Sequence, residues 1–218
     1  MKYIMISMLC LSTTLVMAQS KVKLFDGTSL QGWHTFKKTT TEGWMVKDGG
    51  ILTTDGKGGD LVTDKEYGDF VLEFDFMVSP KGNSGVIYKV VEIDDAAHFA
   101  TYASAPEFQI IDDVNYPAKL NRVQLTGANY DMHEPQSLPS KPAGEWNHGK
   151  IQIKKNVITH WVNGKKVVKY TYGDSAWSAT VAKSKFAKWP YANAHHKGKI
   201  ALQGHNDVVS FKNITIKE

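Results

Sequence analysis

One cysteine occurs in 218 residues, Cys10, and it falls within the first apolar stretch. The chain beyond that stretch has no disulfide and must be held by its packed core. Arginine is as scarce: Arg122 stands alone, and lysine carries the rest of the positive charge. The lysines form no long basic run and the net charge is only +4, so a solvated surface explains them better than a nucleic-acid partner does. No second apolar run is long enough for a membrane helix. There is no Gly-x-Ser-x-Gly, which leaves acyl-enzyme chemistry without support. The glycine-rich loop from Gly56 to Asp60 lacks the Gly-Lys-Ser/Thr ending and the following helix of a phosphate loop. The eight histidines show no metal signature, since His195 and His196 are adjacent and no His-Glu-x-x-His run exists.

What is present begins with a leader. Met1-Lys2-Tyr3 is followed by an apolar run from Ile4 to Met17 and then Ala18-Gln19. A charged start, a short apolar core and a small residue at the cut read as a secretory signal peptide over residues 1–18. The alternative of a lipid-modified Cys10 is the lesser one, because Ser7-Met8-Leu9 is a poor lead-in and the cut would halve the apolar run. Export across the inner membrane, to a periplasmic location, is the expectation. Residues 19–218 are about two hundred residues without a dividing linker, enough for one domain.

The mature chain reads as short strands joined by Gly and Asn turns. Asp69 to Val78 sets Phe70, Leu72, Phe74 and Phe76 on one face and Val71, Glu73, Asp75 and Met77 on the other. Trp44 to Leu52 reads as a hairpin turning at Asp48-Gly49. Val157 to Val162 and Lys165 to Tyr170 flank Asn163-Gly164, a type I′ turn signal. Asn83-Ser84-Gly85 reads as a turn before a strand over Val86 to Ile93. Ala176 to Ala187 is the one place for a helical turn or two. Asn115 to Pro142 is long and irregular, a length that is usually functional or covering in a compact domain. The sum is an all-β sandwich of the jelly-roll type, in which one sheet curves around a ligand groove.

The working face is expected on Glu107 to Ile111. There Glu107 and Gln109 alternate with Phe108 and Ile110, so a carboxylate and an amide share one face of a rigid strand. Taken alone, Glu107 is as readily a surface carboxylate, and Asp112-Asp113 a strand-ending turn. His205 follows the strand Ile200 to Leu202 and has the right chemistry for an acid or base. His133-Glu134 in the long loop could supply ligands to a divalent metal ion assembled from separate loops. Six tryptophans offer rings for stacking on a sugar, without indicating which are exposed.

The order of these short motifs is more informative than any one of them. Leu24-Phe25-Asp26-Gly27-x-x-Leu30-x-Gly32-Trp33 is followed by Trp44-x-Val46-x-Asp48-Gly49, Tyr67-Gly68-Asp69-Phe70 and Gly82-Asn83-Ser84-Gly85-Val86. Then come Glu107-x-Gln109-Ile110-x-Asp112, Gly127-Ala128-x-Tyr130, Gly144-Glu145-Trp146-Asn147 and Gln203-x-His205. Over nearly the whole mature chain this resembles the 3-keto-disaccharide hydrolase family. The resemblance implies a concanavalin A-like jelly roll of the kind exported by Bacteroidetes-type bacteria. It implies a lyase or hydrolase acting on glycosides that a partner glycoside 3-dehydrogenase has oxidised at C3. By the resemblance Glu107 or His205 transfers the proton and Asp112 orients. Asn83, Ser84, Gln109, Tyr130, Trp146 and Gln203 then face the sugar. Tyr88 is counted with them as a substrate contact, although many members carry there an arginine that would clamp substrate; Lys212 stands where many have a surface arginine. Two other classes fit the same fold: a non-catalytic carbohydrate-binding module, and an ordinary glycosidase pairing Glu73 or Asp75 with Glu107.

Overall fold

The structure is a computed structural model that describes residues 20–218. The expected leader lies outside the described residues. The strands are β1 (Val22–Lys23), β2 (Trp33–Thr35), β3 (Trp44–Lys47), β4 (Ile51–Thr54), β5 (Leu61–Thr63), β6 (Phe70–Val78) and β7 (Asn83–Val90). They continue with β8 (Glu107–Ile111), β9 (Asn147–Lys154), β10 (Val157–Val162), β11 (Lys165–Thr171), β12 (Lys199–Leu202) and β13 (Val209–Lys217). The one α-helix among the described residues, α1 (Ser175–Val181), starts at Asp174, whose carboxylate accepts the Trp177 N–H at 2.8 Å.

All pairing is antiparallel. One sheet runs β11-β10-β9-β6-β13-β4-β3, with β1 beside the far end of β13, and the other runs β2-β5-β12-β7-β8. The alternation in β6 does what its sequence demands: Phe70, Leu72, Phe74, Phe76 and Val78 are buried and the residues between are half-exposed. From the facing sheet Phe108 meets this row edge-on, 5.4 Å from Phe74 and 6.2 Å from Phe76 between ring centres. The sandwich core is thus built by the same strand, β8, that carries Glu107 on its other face.

The two tight turns form as their residues require. Lys155 and Asn156 both take positive φ (49° and 63°), as do Asn163 and Gly164 (48° and 79°), joining β9 to β10 and β10 to β11. Asn83-Ser84-Gly85 is not a turn. It opens β7, because Asn83 and Ser84 find partners in Ile111 and Ile110 of β8. The strand after it ends at Val90, not at Ile93.

The long segment after β8 lies along that strand's open edge. Gln109 N–H donates to Ala128 at 3.1 Å, Gly127 N–H to Gln109 at 2.8 Å and Tyr130 N–H to Glu107 at 3.1 Å. Edge strands expose unpaired backbone groups, and this loop satisfies them. His160 on β10 anchors the loop from inside the core: its Nδ1–H donates to the Gly127 carbonyl at 3.0 Å. Burial holds that imidazole neutral, with its pKa lowered to about 4, so its Nε2 accepts from the Tyr88 hydroxyl at 2.8 Å. Tyr88 is therefore a core residue, fully buried, and not a substrate contact.

Phe108→Ala removes the ring that joins the two sheets. It is expected to cost about 3–5 kcal/mol in urea unfolding, as buried aromatic truncations do.

Candidate active site

Glu107, Gln109, Asn83, Tyr130, Gln203 and His205 line one pocket of about 270 Å3 on the outer face of the five-stranded sheet. The strand alternation explains the grouping. Asn83, Gly85 and Ile87 on β7 stand opposite Ile111, Gln109 and Glu107 on β8, and β12 on the other side of β7 leads into Gln203. Tyr130 arrives through its backbone bond to Glu107. Tyr102, Lys185 and Trp189 complete the walls.

Glu107 sits in this pocket with 5% of its surface exposed. Its side chain lies over Gly85: a Cβ built there would fall 2.3 Å from Oε1. The bare glycine is the space the carboxyl group occupies. Burial pushes its pKa up to about 8, helped by the charges of Asp60 and Asp131 and opposed by Lys185. Lys185 stands over the Tyr130 ring at 4.3 Å and pairs with Asp131 at 2.6 Å. Burial works against its charge, but the contact with Asp131 outweighs that and holds its pKa above the usual lysine value.

The amides around the carboxyl have unused capacity. Gln109 Oε1 accepts the Ile110 N–H at 3.0 Å, which leaves its NH2 group to the pocket. The buried Oε1 of Gln203 and Oδ1 of Asn83 have no hydrogen-bond partner. Buried polar atoms are nearly always paired, so orphans on a pocket wall mark where a ligand's groups belong.

His205 is exposed at the pocket mouth, its Nδ1 3.9 Å from Asp207 Oδ2. It also borders a second lobe of about 360 Å3, which shares Tyr102 and Gln203 and has Asp60, Phe36 and Phe99 in its wall. Asp60 accepts from Gly204 N–H at 3.1 Å and from the Thr101 hydroxyl. Burial raises its pKa, against those two hydrogen bonds and the charge of His205. Phe99, Tyr102 and Trp189 meet edge to face or tilted, with ring centres 5.3–6.1 Å apart, and form an aromatic wall beside the junction of the lobes. Sugar rings stack on such walls.

Three expected contacts lie elsewhere for clear reasons. Asp112 is held by the backbone N–H groups of Lys81 (2.8 Å), Val114 (3.1 Å) and Asn115 (3.0 Å). Burial alone would raise its pKa, but those bonds lower it, and it shapes the turn before β7 without lining the pocket. The carboxylate nearest His205 is instead Asp207, and Asp60 lies in the wall of the lobe that His205 borders. Ser84 is buried and donates to the Gln203 carbonyl at 2.8 Å, so it positions the pocket wall from behind. Trp146 lies by the other sheet, under Lys212 at 4.1 Å. His133 stacks on Tyr170 at 4.3 Å and Glu134 pairs with Arg122 at 3.1 Å. Among the described residues no cluster of three His, Cys, Asp or Glu is placed to hold a metal ion. Glu73 and Asp75 face out of the eight-stranded sheet, so neither is a partner for Glu107 across a groove.

Over residues 20–217 the chain matches the family described as the 3-keto-alpha-glucoside-1,2-lyase-like domain. It belongs to that family. A 3-keto-disaccharide hydrolase of Bacteroides thetaiotaomicron is 33% identical to it, across 92% of this chain and 79% of the relative. A crystal structure from Parabacteroides distasonis ATCC 8503, provisionally described as a glycosyl hydrolase, superposes with a TM-score of 0.85 at 34% identity, covering 90% of this chain and 93% of its own. A Bacillus subtilis protein with a galectin-like fold (TM-score 0.57, 11% identity, 92% and 95% covered) shares the jelly-roll sandwich alone. Family membership makes the chain a carbohydrate-active enzyme that works on glycosidic bonds.

Two outcomes follow from the seat of Glu107. Its folded pKa lies above its unfolded value, so as pH rises from about 4.5 to 8 the unfolded chain ionises while the folded one keeps its proton. Stability is lost across that window. Glu107→Gln removes the loss: it is expected to match wild type near pH 4 and to exceed it by a few kcal/mol at pH 8 in urea unfolding. Gly85→Ala forces the carboxyl aside and is expected to lower kcat/KM by about a hundredfold while far-UV circular dichroism stays unchanged.

Proposed function

We propose that this family member cleaves the C1–oxygen bond of glycosides already oxidised to a ketone at C3. The observation that carries the reading is Glu107: a buried carboxyl with a raised pKa, set among unpaired amide groups. A C3 ketone acidifies the hydrogen on C2. Glu107, ionised, takes that proton and the electron pair moves to the C3 oxygen. The NH2 group of Gln109 and the Lys185 ammonium supply hydrogen bonds and charge to the enolate, and the unpaired oxygens of Asn83 and Gln203 accept from the sugar's hydroxyl groups. The enolate collapses to restore the ketone, the C1–C2 double bond forms and the C1–oxygen bond breaks. His205, at the pocket mouth, gives the departing oxygen its proton. The product is a 2-hydroxy-3-keto-glycal, and addition of water to it completes a net hydrolysis. The relative named as a 3-keto-disaccharide hydrolase supports this substrate class.

The leader over residues 1–18 supports a periplasmic site of action, and a dehydrogenase acting on C3 must supply the substrate. A second reading, an ordinary glycosidase using Glu107 with Asp60, is favoured by the charge coupling between those two carboxyls. One experiment separates them. A 3-keto-β-glucoside with a chromogenic aglycone is expected to be cleaved and the unoxidised glucoside to be left intact. Glu107→Gln is expected to lose at least about a hundredfold. Because Glu107 must be ionised and the acid must carry its proton, kcat/KM is expected to follow a bell in pH, falling about tenfold per pH unit on the acid side and falling again on the alkaline side. Cleavage of the unoxidised glucoside at a comparable rate overturns the keto-activated reading.

A further inference from the structure

The sheet opposite the groove carries an uneven charge. From Asn147 to Gly173, the span of β9, β10 and β11, there are six lysines and no aspartate or glutamate. Register places them in rows on the outward face: Lys150, Trp161 and Lys166 in one, Gln152, Thr159 and Lys169 in the next, Lys154 beside Val157 beyond. Lys154, Lys155, Lys166 and Lys169 surround a shallow depression of about 450 Å3 with Trp161 on its wall, and the Lys150 ammonium lies 4.0 Å above the indole.

None of the six lysines is ion-paired among the described residues, although lysines elsewhere are. The acids that border the face are already engaged: Asp69 by the Lys155 N–H at 2.8 Å, Glu73, opposite Lys150 on the neighbouring strand, by Lys21, and Asp75 by His148 at 2.8 Å and Asn213 at 2.6 Å. Like charges on neighbouring strands repel, and mixed charges would serve solubility as well. Beyond Lys150 no acid among the described residues stands opposite these lysines, and a face that keeps this repulsion is suited to a partner that relieves it.

We propose that the outward face of β9–β11 binds an acidic polysaccharide, one bearing sulfate or uronate groups along its length. Lysine ammoniums match spaced anionic groups as point charges. Trp161 offers a ring for a sugar face, and Gln152 and Thr159 offer hydrogen-bonding groups between the charges. A lipid surface would call for projecting apolar side chains, and Val157 is the only aliphatic one in the depression. Single-stranded nucleic acid would call for several stacking rings in succession, and here there is one. The groove on the other sheet stays open while this face is occupied.

The test is retention of residues 19–218 on immobilised heparin and on polygalacturonate, beside neutral dextran, with salt varied. Wild type is expected to bind both acidic polymers at physiological salt and to be released as salt rises. The pair Lys166→Glu and Lys169→Glu is expected to bind at least tenfold more weakly. The pair Lys166→Gln and Lys169→Gln gives an intermediate loss, and Trp161→Ala a loss of several-fold at unchanged charge. No retention of wild type at physiological salt overturns the proposal, as does undiminished binding by the Glu pair with melting unchanged. Binding of duplex DNA or phosphatidylglycerol vesicles as tight as that of the polysaccharides, and insensitive to Trp161→Ala, also overturns it.

Discussion

Glu107 lies where Gly85 has no side chain, and much of the active face follows from that contact. The carboxyl group is pressed onto a strand and loses water on that side. Burial raises its pKa, so it can hold a proton near neutrality and still accept one as a strong base. Its neighbours follow from strand pairing: Asn83 and Gln109 lie within two residues of the Gly85–Gln109 rung, and Ser84 fixes the backbone of Gln203. Phe108 gives the arrangement its rigidity, because the ring that follows Glu107 is locked between Phe74 and Phe76. A base carried on such a strand moves only if the sandwich moves.

The two sheets divide the labour. The five-stranded sheet faces outward with amides, carboxyls and aromatic rings in a two-lobed groove. The eight-stranded sheet faces outward with charge, acidic and paired on β6, basic and unpaired on β9 to β11. The long loop over β8 joins the two levels of organisation. It closes an open strand edge, is pinned from the core by His160, and delivers Tyr130 to the groove.

The fold was legible because its signals are local. Period-two alternation in β6 and β8 and the Asn-Gly turn at 163–164 each depend on a few adjacent residues. The jelly roll expected from them is the one found. The site was legible in part. Alternation told which face Glu107 and Gln109 share, but not that Gly85 would lie beneath. Asp112 reads by itself as a strand-ending turn and took an orienting role only from the resemblance; three backbone N–H groups claim it. Asp60 and Lys185 were missed. Each sits in a loop or short turn with no periodicity, and each reaches the groove only through tertiary packing. Tyr102 and Trp189 carried one weak signal, as aromatic residues outside any alternating strand. Tyr88 misled because the resemblance places it where many members carry a substrate-clamping arginine, whereas His160 and Tyr170 satisfy its hydroxyl in the core.

The account stands or falls on proton removal from C2. The direct measurement is exchange of that hydrogen with solvent deuterium, followed by NMR, on 1,5-anhydro-3-keto-glucitol, a ketone with no leaving group at C1. Wild type is expected to catalyse the exchange with a rate that rises through pH 8, and Glu107→Gln to abolish it. Release of aglycone from a 3-keto-glucoside without any catalysed exchange at C2, or exchange that survives Glu107→Gln, would contradict it.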